Sequence, residues 1–228
     1  MEKSFVLSVG GSLISPPEGI DTAFLKKFRQ FVVDRIKRGY RFYLVVGGGA
    51  VCRRYNKAAS VITKVKPLDL DWMGISATRL NAHLLKAIFG NLAHDEIISD
   101  PTKKIKTNKK IVIAAGYKPG WSTDYDAVLI AKNNGAKMVI NLSNIDYAYN
   151  KDPRRFPEAK KLKNVSWPVF QKIVGRKWRP GLNVPFDPIA SLEASKNKMR
   201  VVIINGSKLE NLGNCLEGTN FRGTNIGF

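Results

Sequence analysis

The chain has 228 residues, with 38 Lys and Arg against 18 Asp and Glu, a formal charge of +20. This length suits one large domain or two small ones. The 44% apolar content excludes wholesale disorder, and no apolar run approaches the ~20 residues of a membrane span. Two cysteines, Cys52 and Cys215, and two histidines, His83 and His94, argue against a disulfide scaffold or a zinc site. The start, Met1-Glu2-Lys3-Ser4, lacks the basic-apolar-small order of a signal peptide. A reducing cytoplasm is the expected compartment.

In chain order, Phe5–Val9 reads as a buried strand ended by Gly10-Gly11. Asp21 caps a helix whose Leu25, Phe28, Val32 and Ile36 share one face, closing at Gly39. Phe42–Val46 is a second strand, ended by three glycines, and a helix follows from about Ala50. Another helix is expected from about Asp71, which would cap it, to Phe89. Ile111–Ala115 is a strand, Thr123–Asn133 a helix and Lys137–Leu142 a strand. Pro188–Lys196 suits a helix with Pro in its first turn, and Met199–Ile204 is the last long strand. Such alternation predicts an α/β fold: a three-layer sandwich with a mostly parallel sheet flanked by helices. The irregular stretch from Asn144 to about Pro168 is the candidate boundary between two lobes of one domain.

The charge is uneven. Residues 1–100 hold 15 basic and 9 acidic residues, whereas residues 101–228 hold 23 and 9. The runs Lys103–Lys110 and Lys151–Lys163 concentrate it. A field of this kind attracts polyanions. Neither run has the interleaved aromatics of a single-strand platform or a recognisable nucleic-acid-binding signature, so both read as solvated surface, and nucleic acid is not the expected partner.

Three strands run into glycine loops: Gly10-Gly11-Ser12, Gly47-Gly48-Gly49 and Gly116–Thr123. In open α/β sheets ligands sit beyond the carboxyl ends of strands, and glycines there let backbone N–H groups approach phosphate oxygens. Neither GxxxxGK[ST] nor GxGxxG is present, so the expected phosphate site is of another kind.

The loops and their surroundings resemble the amino acid kinase superfamily, and most closely its archaeal-type uridylate (UMP) kinases. Ser8-Val9-Gly10-Gly11-Ser12 is similar to the first phosphate loop, and Val45–Gly49 with Arg53 to the second. Asp71–Ala82 resembles the helix carrying the nucleoside-binding Asp, and Pro119–Asp124 the family's Pro-Gly-x-Thr-Thr-Asp. Ser143–Pro153 and the closing Gly223-Thr224-Asn225-Ile226 match two further motifs. The resemblance covers nearly the whole chain. It implies the amino acid kinase fold and ATP-dependent phosphorylation of UMP to UDP, with Mg2+ as companion of ATP. Under it Gly10, Gly11, Ser12, Gly49 and Arg53 hold ATP phosphates, and Ser143, Asn144, Tyr149 and Asp152 hold the adenosine. Gly48, Asp71, Gly116, Tyr117, Lys118, Pro119, Gly120, Trp121, Ser122 and Thr123 take UMP, and Arg53 and Asp124 are the catalytic pair. Asp124 has a plainer alternative as cap of the helix after it. The resemblance also implies an acceptor lobe over 1–143, an ATP lobe over 144–228 and a homo-oligomer, a hexamer. Ser8 and Leu192 stand where many relatives carry Lys, and Tyr147 where the motif has Gly. Two alternatives stay open: a non-catalytic nucleotide- or oxyanion-binding member of the fold, and a kinase of another small phosphate or carboxylate.

Overall fold

The computed structural model describes residues 3–177 and 184–227, so Met1 and Glu2 of the start lie outside the described residues. Strand β1 (Lys3–Val9) leads into a one-turn helix α1 (Gly11–Ile14), then α2 (Thr22–Lys37) and β2 (Tyr40–Val46). Helices α3 (Gly49–Ile62) and α4 (Pro67–Phe89) follow, then β3 (Ile111–Ala114), α5 (Thr123–Asn133) and β4 (Met138–Ser143). The chain closes with β5 (Asn164–Val165), α6 (Trp167–Val174), α7 (Pro188–Lys196), β6 (Arg200–Asn205), α8 (Leu209–Glu217) and β7 (Thr224–Ile226).

The seven strands form one sheet in the order β3-β2-β1-β4-β6-β7-β5. The first five in that order are mutually parallel, and β7 runs antiparallel to β6. Alternation along β2 shows why both faces need cover: Tyr40, Phe42, Leu44 and Val46 enter one core, and Tyr43 and Val45 the other. The first core is roofed by residues of α2, α4 and α8, the second by those of α5, α6 and α7. The expected three-layer α/β sandwich is therefore present. The chain leaves β1 toward β2 and β3 on one side, and β4 and β6 lie on the other. The crevice at the carboxyl ends of β1, β2 and β4 is thus a topological switch point.

Several expected boundaries shift. Helix α4 begins at Pro67, one turn before Asp71, because Pro67 supplies a preset φ at its first turn. Asp71 is consequently inside the helix and does not cap it. Helix α5 is capped by Ser122, whose hydroxyl accepts the Tyr125 N–H at 3.2 Å, so Asp124 is not the cap. Asp21 does cap α2, accepting the Phe24 N–H at 2.8 Å. The stretch read as irregular contains β5 and the start of α6. Lys103, Lys104, Lys106 and Lys110 are exposed in a loop without regular structure, as expected of a solvated run. Among the described residues no helix is long and apolar enough to cross a membrane.

Candidate active site

Two of the glycine loops interlock backbone to backbone. The Gly47 N–H donates to the Val9 carbonyl at 3.0 Å, and the Ala50 N–H to the Ser15 carbonyl at 2.8 Å. A Cβ on Gly11 would fall on the Gly49 nitrogen and 2.6 Å from the Gly47 carbonyl. Gly49 also holds φ at +65°, a left-handed conformation that side chains resist. These glycines are required by loop-to-loop approach before any ligand is considered. The N–H groups of Gly11, Ser12 and Gly49 open α1 and α3, where no carbonyl lies four residues back within the helix. Arg53 leans from α3 across the gap, donating from Nη2 to the Ser12 hydroxyl at 3.2 Å.

Beside these loops lies a cleft of about 260 Å³ between α3, α4 and the 116–123 loop. Asp71 Oδ2 accepts the Gly120 N–H at 2.8 Å and so ties the loop to α4. Thr78 Oγ1 accepts the Gly116 N–H at 2.9 Å, and Asn81 donates to the Gly47 carbonyl at 2.9 Å, fixing α4 to both loops from below. Trp121 packs edge-on against Tyr117 and Tyr125, with ring centroids 5.4 and 4.6 Å away. Lys118 Nζ stands 4.5 Å over the Trp121 ring. The loop is therefore tied to α4 at two points, Gly116 and Gly120, with its aromatic rings interlocked.

Under the loops a carboxylate cluster forms the floor. Asp124 Oδ1 accepts from the Ser8 hydroxyl at 3.0 Å and from Asn141 Nδ2 at 2.9 Å. Its Oδ2 faces the Asp187 N–H at 3.3 Å. Burial, with the Asp187 charge adding to it, pushes the Asp124 carboxyl up to about 7. Asp126 is fully buried one turn inside α5, and burial pushes its carboxyl up to about 8. Its Oδ2 accepts the Tyr117 N–H at 3.3 Å, while Oδ1 has no hydrogen-bond partner among the described residues. Asp187 caps α7 through Ala190 at 2.7 Å, and its carboxyl too is raised, chiefly by burial.

Of the expected acceptor residues, Gly48, Asp71, Gly116, Trp121, Ser122 and Thr123 line the cleft, together with Gly49 and Arg53. Tyr117, Lys118, Pro119 and Gly120 belong to the same loop and do not line it. Cys52, Asn56, Leu70, Gly74, Ile75 and Thr78 line it without having been expected. Helical spacing carries the signal for most of them: Gly74, Ile75 and Thr78 lie three, four and seven residues beyond Asp71, and Asn56 lies four beyond Cys52. On the donor side, Ser143 ends β4 and its carbonyl accepts the Gly206 N–H at 2.8 Å. Asn144 is exposed, half-buried Tyr149 bridges to Lys161, and Asp152 accepts the Arg154 N–H at 3.0 Å in an outlying turn. These three are distributed along a loop segment and are not gathered into the cleft. Leu192 is exposed on α7.

A model of the amino acid kinase family matches residues 3–205. A uridylate kinase of Methanospirillum hungatei is 31% identical over 224 residues, 97% of this chain and 93% of the relative. One from Thermococcus onnurineus is 33% identical over 217 residues, 93% of this chain and 95% of the relative. The crystal structure of a uridylate kinase from Archaeoglobus fulgidus superposes with a TM-score of 0.82 at 30% identity, covering 97% of this chain and 99% of that one. Sheet order, interlocked phosphate loops and sequence agree: the chain belongs to the amino acid kinase family, and the relatives it matches along nearly its whole length are uridylate kinases.

Proposed function

We propose that the chain transfers the terminal phosphoryl group of ATP to UMP, giving UDP and ADP. The observation that carries this reading is the 260 Å³ cleft, lined by Gly48, Arg53 and Asp71 and opening beside the interlocked phosphate loops at the switch point. Donor phosphates lie against Gly10, Gly11, Ser12 and Gly49, and the acceptor fills the cleft with its phosphate toward Gly48 and Arg53. Arg53 offers a planar fork able to grip oxygens from both reactants. Asp71 spends one oxygen on Gly120 and presents the other to the nucleoside, where an acceptor-only group reads hydroxyl or N–H donors. The Gly116–Thr123 loop wraps the acceptor. Phosphoryl transfer asks chiefly for alignment and charge neutralisation.

Asp124 acts as a positioning residue in this scheme. It holds the Ser8 hydroxyl and the Asn141 amide, and with them the ends of β1 and β4, in place beside the first loop. Mg2+ would accompany the phosphates and take its hard oxygen donors chiefly from them, since Asp124, with both oxygens engaged, is not free to hold it. When bound, it neutralises phosphate charge. Ser143, Asn144, Tyr149 and Asp152 are assigned to the adenosine, with residues 1–143 as acceptor lobe and 144–228 as donor lobe. A cytoplasmic location goes with these substrates.

Self-association, to a hexamer, is part of the same reading. It is supported by an apolar surface on α3 and the start of α4, where Tyr55, Val61 and Ile62 are 66%, 78% and 84% exposed and Leu68 and Trp72 follow. Light scattering after size exclusion tests it. The activity is tested by a panel of nucleoside monophosphates and small acids with MgATP, reading ADP release. UMP is expected to be the preferred acceptor. A small carboxylate preferred over every nucleotide, or no ADP release with any acceptor, overturns the assignment.

A further inference from the structure

Asp126 is an awkward residue for the place it occupies. From Asp126 to Ala131 every residue of α5 is buried, and Ala127, Val128, Ile130 and Ala131 pack into the core with Tyr43, Val45 and Val112. Asp126 has no exposed surface, and its Oδ1 finds no hydrogen-bond partner among the described residues. Burial, with like charge from Asp124 on the same helix and Asp187 at the start of α7, pushes the carboxyl up to about 8 against the pull of the Tyr117 N–H. The group is therefore protonated at pH 7. The helix dipole favours an acid in the first turn, but that benefit needs a charge. An apolar side chain of similar size would suit this core better than an acid with an orphaned oxygen. Folding alone gives no reason for a carboxyl here.

What the carboxyl does is hold the acceptor loop. Its Oδ2 accepts the Tyr117 N–H at 3.3 Å. Thr78 and Asp71 hold Gly116 and Gly120 from α4, and Asp126 adds a tie from α5, so the loop is gripped from two helices. Tyr117 carries the constraint onward. Its ring meets Trp121 edge-on at 5.4 Å, and Lys118 Nζ lies 5.4 Å from the Tyr117 ring and 4.5 Å from the Trp121 ring. Trp121 lines the cleft. A shift of the Tyr117 backbone thus reaches the cleft wall through one ring contact.

We propose that Asp126 is a positioning residue for the acceptor: it touches no substrate, and it fixes the cleft wall through Tyr117 and Trp121 against the preference of the core for an apolar side chain. The acceptor part rests on the assignment of the cleft to UMP; the loop part does not. Without the carboxyl, the Tyr117 N–H is left unpaired beside the core unless the loop lifts toward water. The two interlocked phosphate loops are held by their own backbone contacts, so the effect falls on the acceptor and spares the donor.

The test compares the wild type with Asp126→Asn and Asp126→Val. Asn copies the protonated acid and keeps an oxygen for Tyr117. Val keeps roughly the volume and removes the acceptor atom. Asp126→Ala also lacks it, so the loop and kinetic readouts do not hang on how valine packs. Hydrogen exchange of the 116–121 amides, denaturation midpoints and KM for UMP and for ATP are read. With Val or Ala, loop exchange should quicken and the UMP KM rise about three- to tenfold, the worth of one neutral hydrogen bond. The ATP KM and kcat should stay within about twofold. The Val midpoint should hold or rise, and Asn should match the wild type in loop exchange and UMP KM. Equal loop exchange in all four proteins overturns the tie, as does an Asn variant as loose as Val. Faster exchange with UMP and ATP KM moving together overturns the acceptor role. A lowered Val midpoint overturns the claim that the core prefers an apolar residue. If the wild type turns over no UMP, the kinase reading falls, and loop exchange still decides whether Asp126 holds the loop.

Discussion

Replacing Asp124 by Asn should stabilise the protein at alkaline pH, destabilise it at acid pH and abolish most turnover. The native carboxyl is raised from 3.8 to about 7, so the folded state holds a proton that the unfolded chain has released between those values. Stability therefore falls as pH rises from about 4 to about 7, and the full penalty persists above that. About three pKa units at ~1.4 kcal/mol each set a ceiling of about 4 kcal/mol. Asn carries no such penalty and keeps an acceptor for Ser8 and Asn141. Its amide nitrogen, however, meets the Asp187 N–H, 3.3 Å from the present oxygen, and two facing donors cost about 1–2 kcal/mol. The variant should thus gain about 2–3 kcal/mol at pH 8, roughly 5 °C or more in Tm for a chain of this size, and lose about 1–2 kcal/mol at pH 4. Calorimetric melts from pH 4 to 8 read the crossing, and initial rates read the activity. A Tm shift of the same sign and size at every pH would refute the assignment of a buried, protonated carboxyl to the floor of the site.

Asp71→Ala should raise the UMP requirement far more than the ATP requirement, by about tenfold to a hundredfold for a lost charged hydrogen bond; steady-state KM values for both substrates check it, and equal changes count against the acceptor role. Arg53→Lys should bind both nucleotides but turn over poorly, because the charge stays and the fork is lost; unchanged kcat would make Arg53 a surface residue. Gly49→Ala should cost about 2–4 kcal/mol of stability through left-handed strain and overlap with the Gly11 backbone, read as a lowered denaturation midpoint at unchanged slope.

Local signals carried far in this sequence. Asp187 followed by Pro188 predicts a helix start, and α7 runs over the expected residues because that cap and that proline act within one turn. The same logic, missed at Pro67, displaced the start of α4. The irregular stretch was expected to reach about Pro168, which sits instead in the first turn of α6. Strands β5 and β7, two and three residues long, are too short to show a period and form only because β6 offers a partner. The floor of the site was the least legible part. Ser8 and Asp124 are 116 positions apart, and nothing local to either distinguishes a helix cap from a tertiary anchor. The acceptor side was legible where residues share a helix face with Asp71, and illegible where α3 brings Cys52 and Asn56 across from another element.

The lysine run before β3 has a consequence for how the sheet ends. β3 is an edge strand, and among the described residues its outer rim is covered by the 93–98 segment, through the N–H groups of His94 and Ile98 on the Ile111 and Ile113 carbonyls and the Ala115 N–H on the Ile98 carbonyl. An edge with four fully buried, apolar residues becomes a template for strand addition by another chain wherever that short segment parts from it. Exposed Lys103, Lys104, Lys106 and Lys110 stand at its entrance, where a second copy approaching edge to edge would bring its own lysines against them. Four charges of the excess in the second half of the chain can thus be accounted for as a guard on a strand edge covered by one short segment, a duty that needs no ligand.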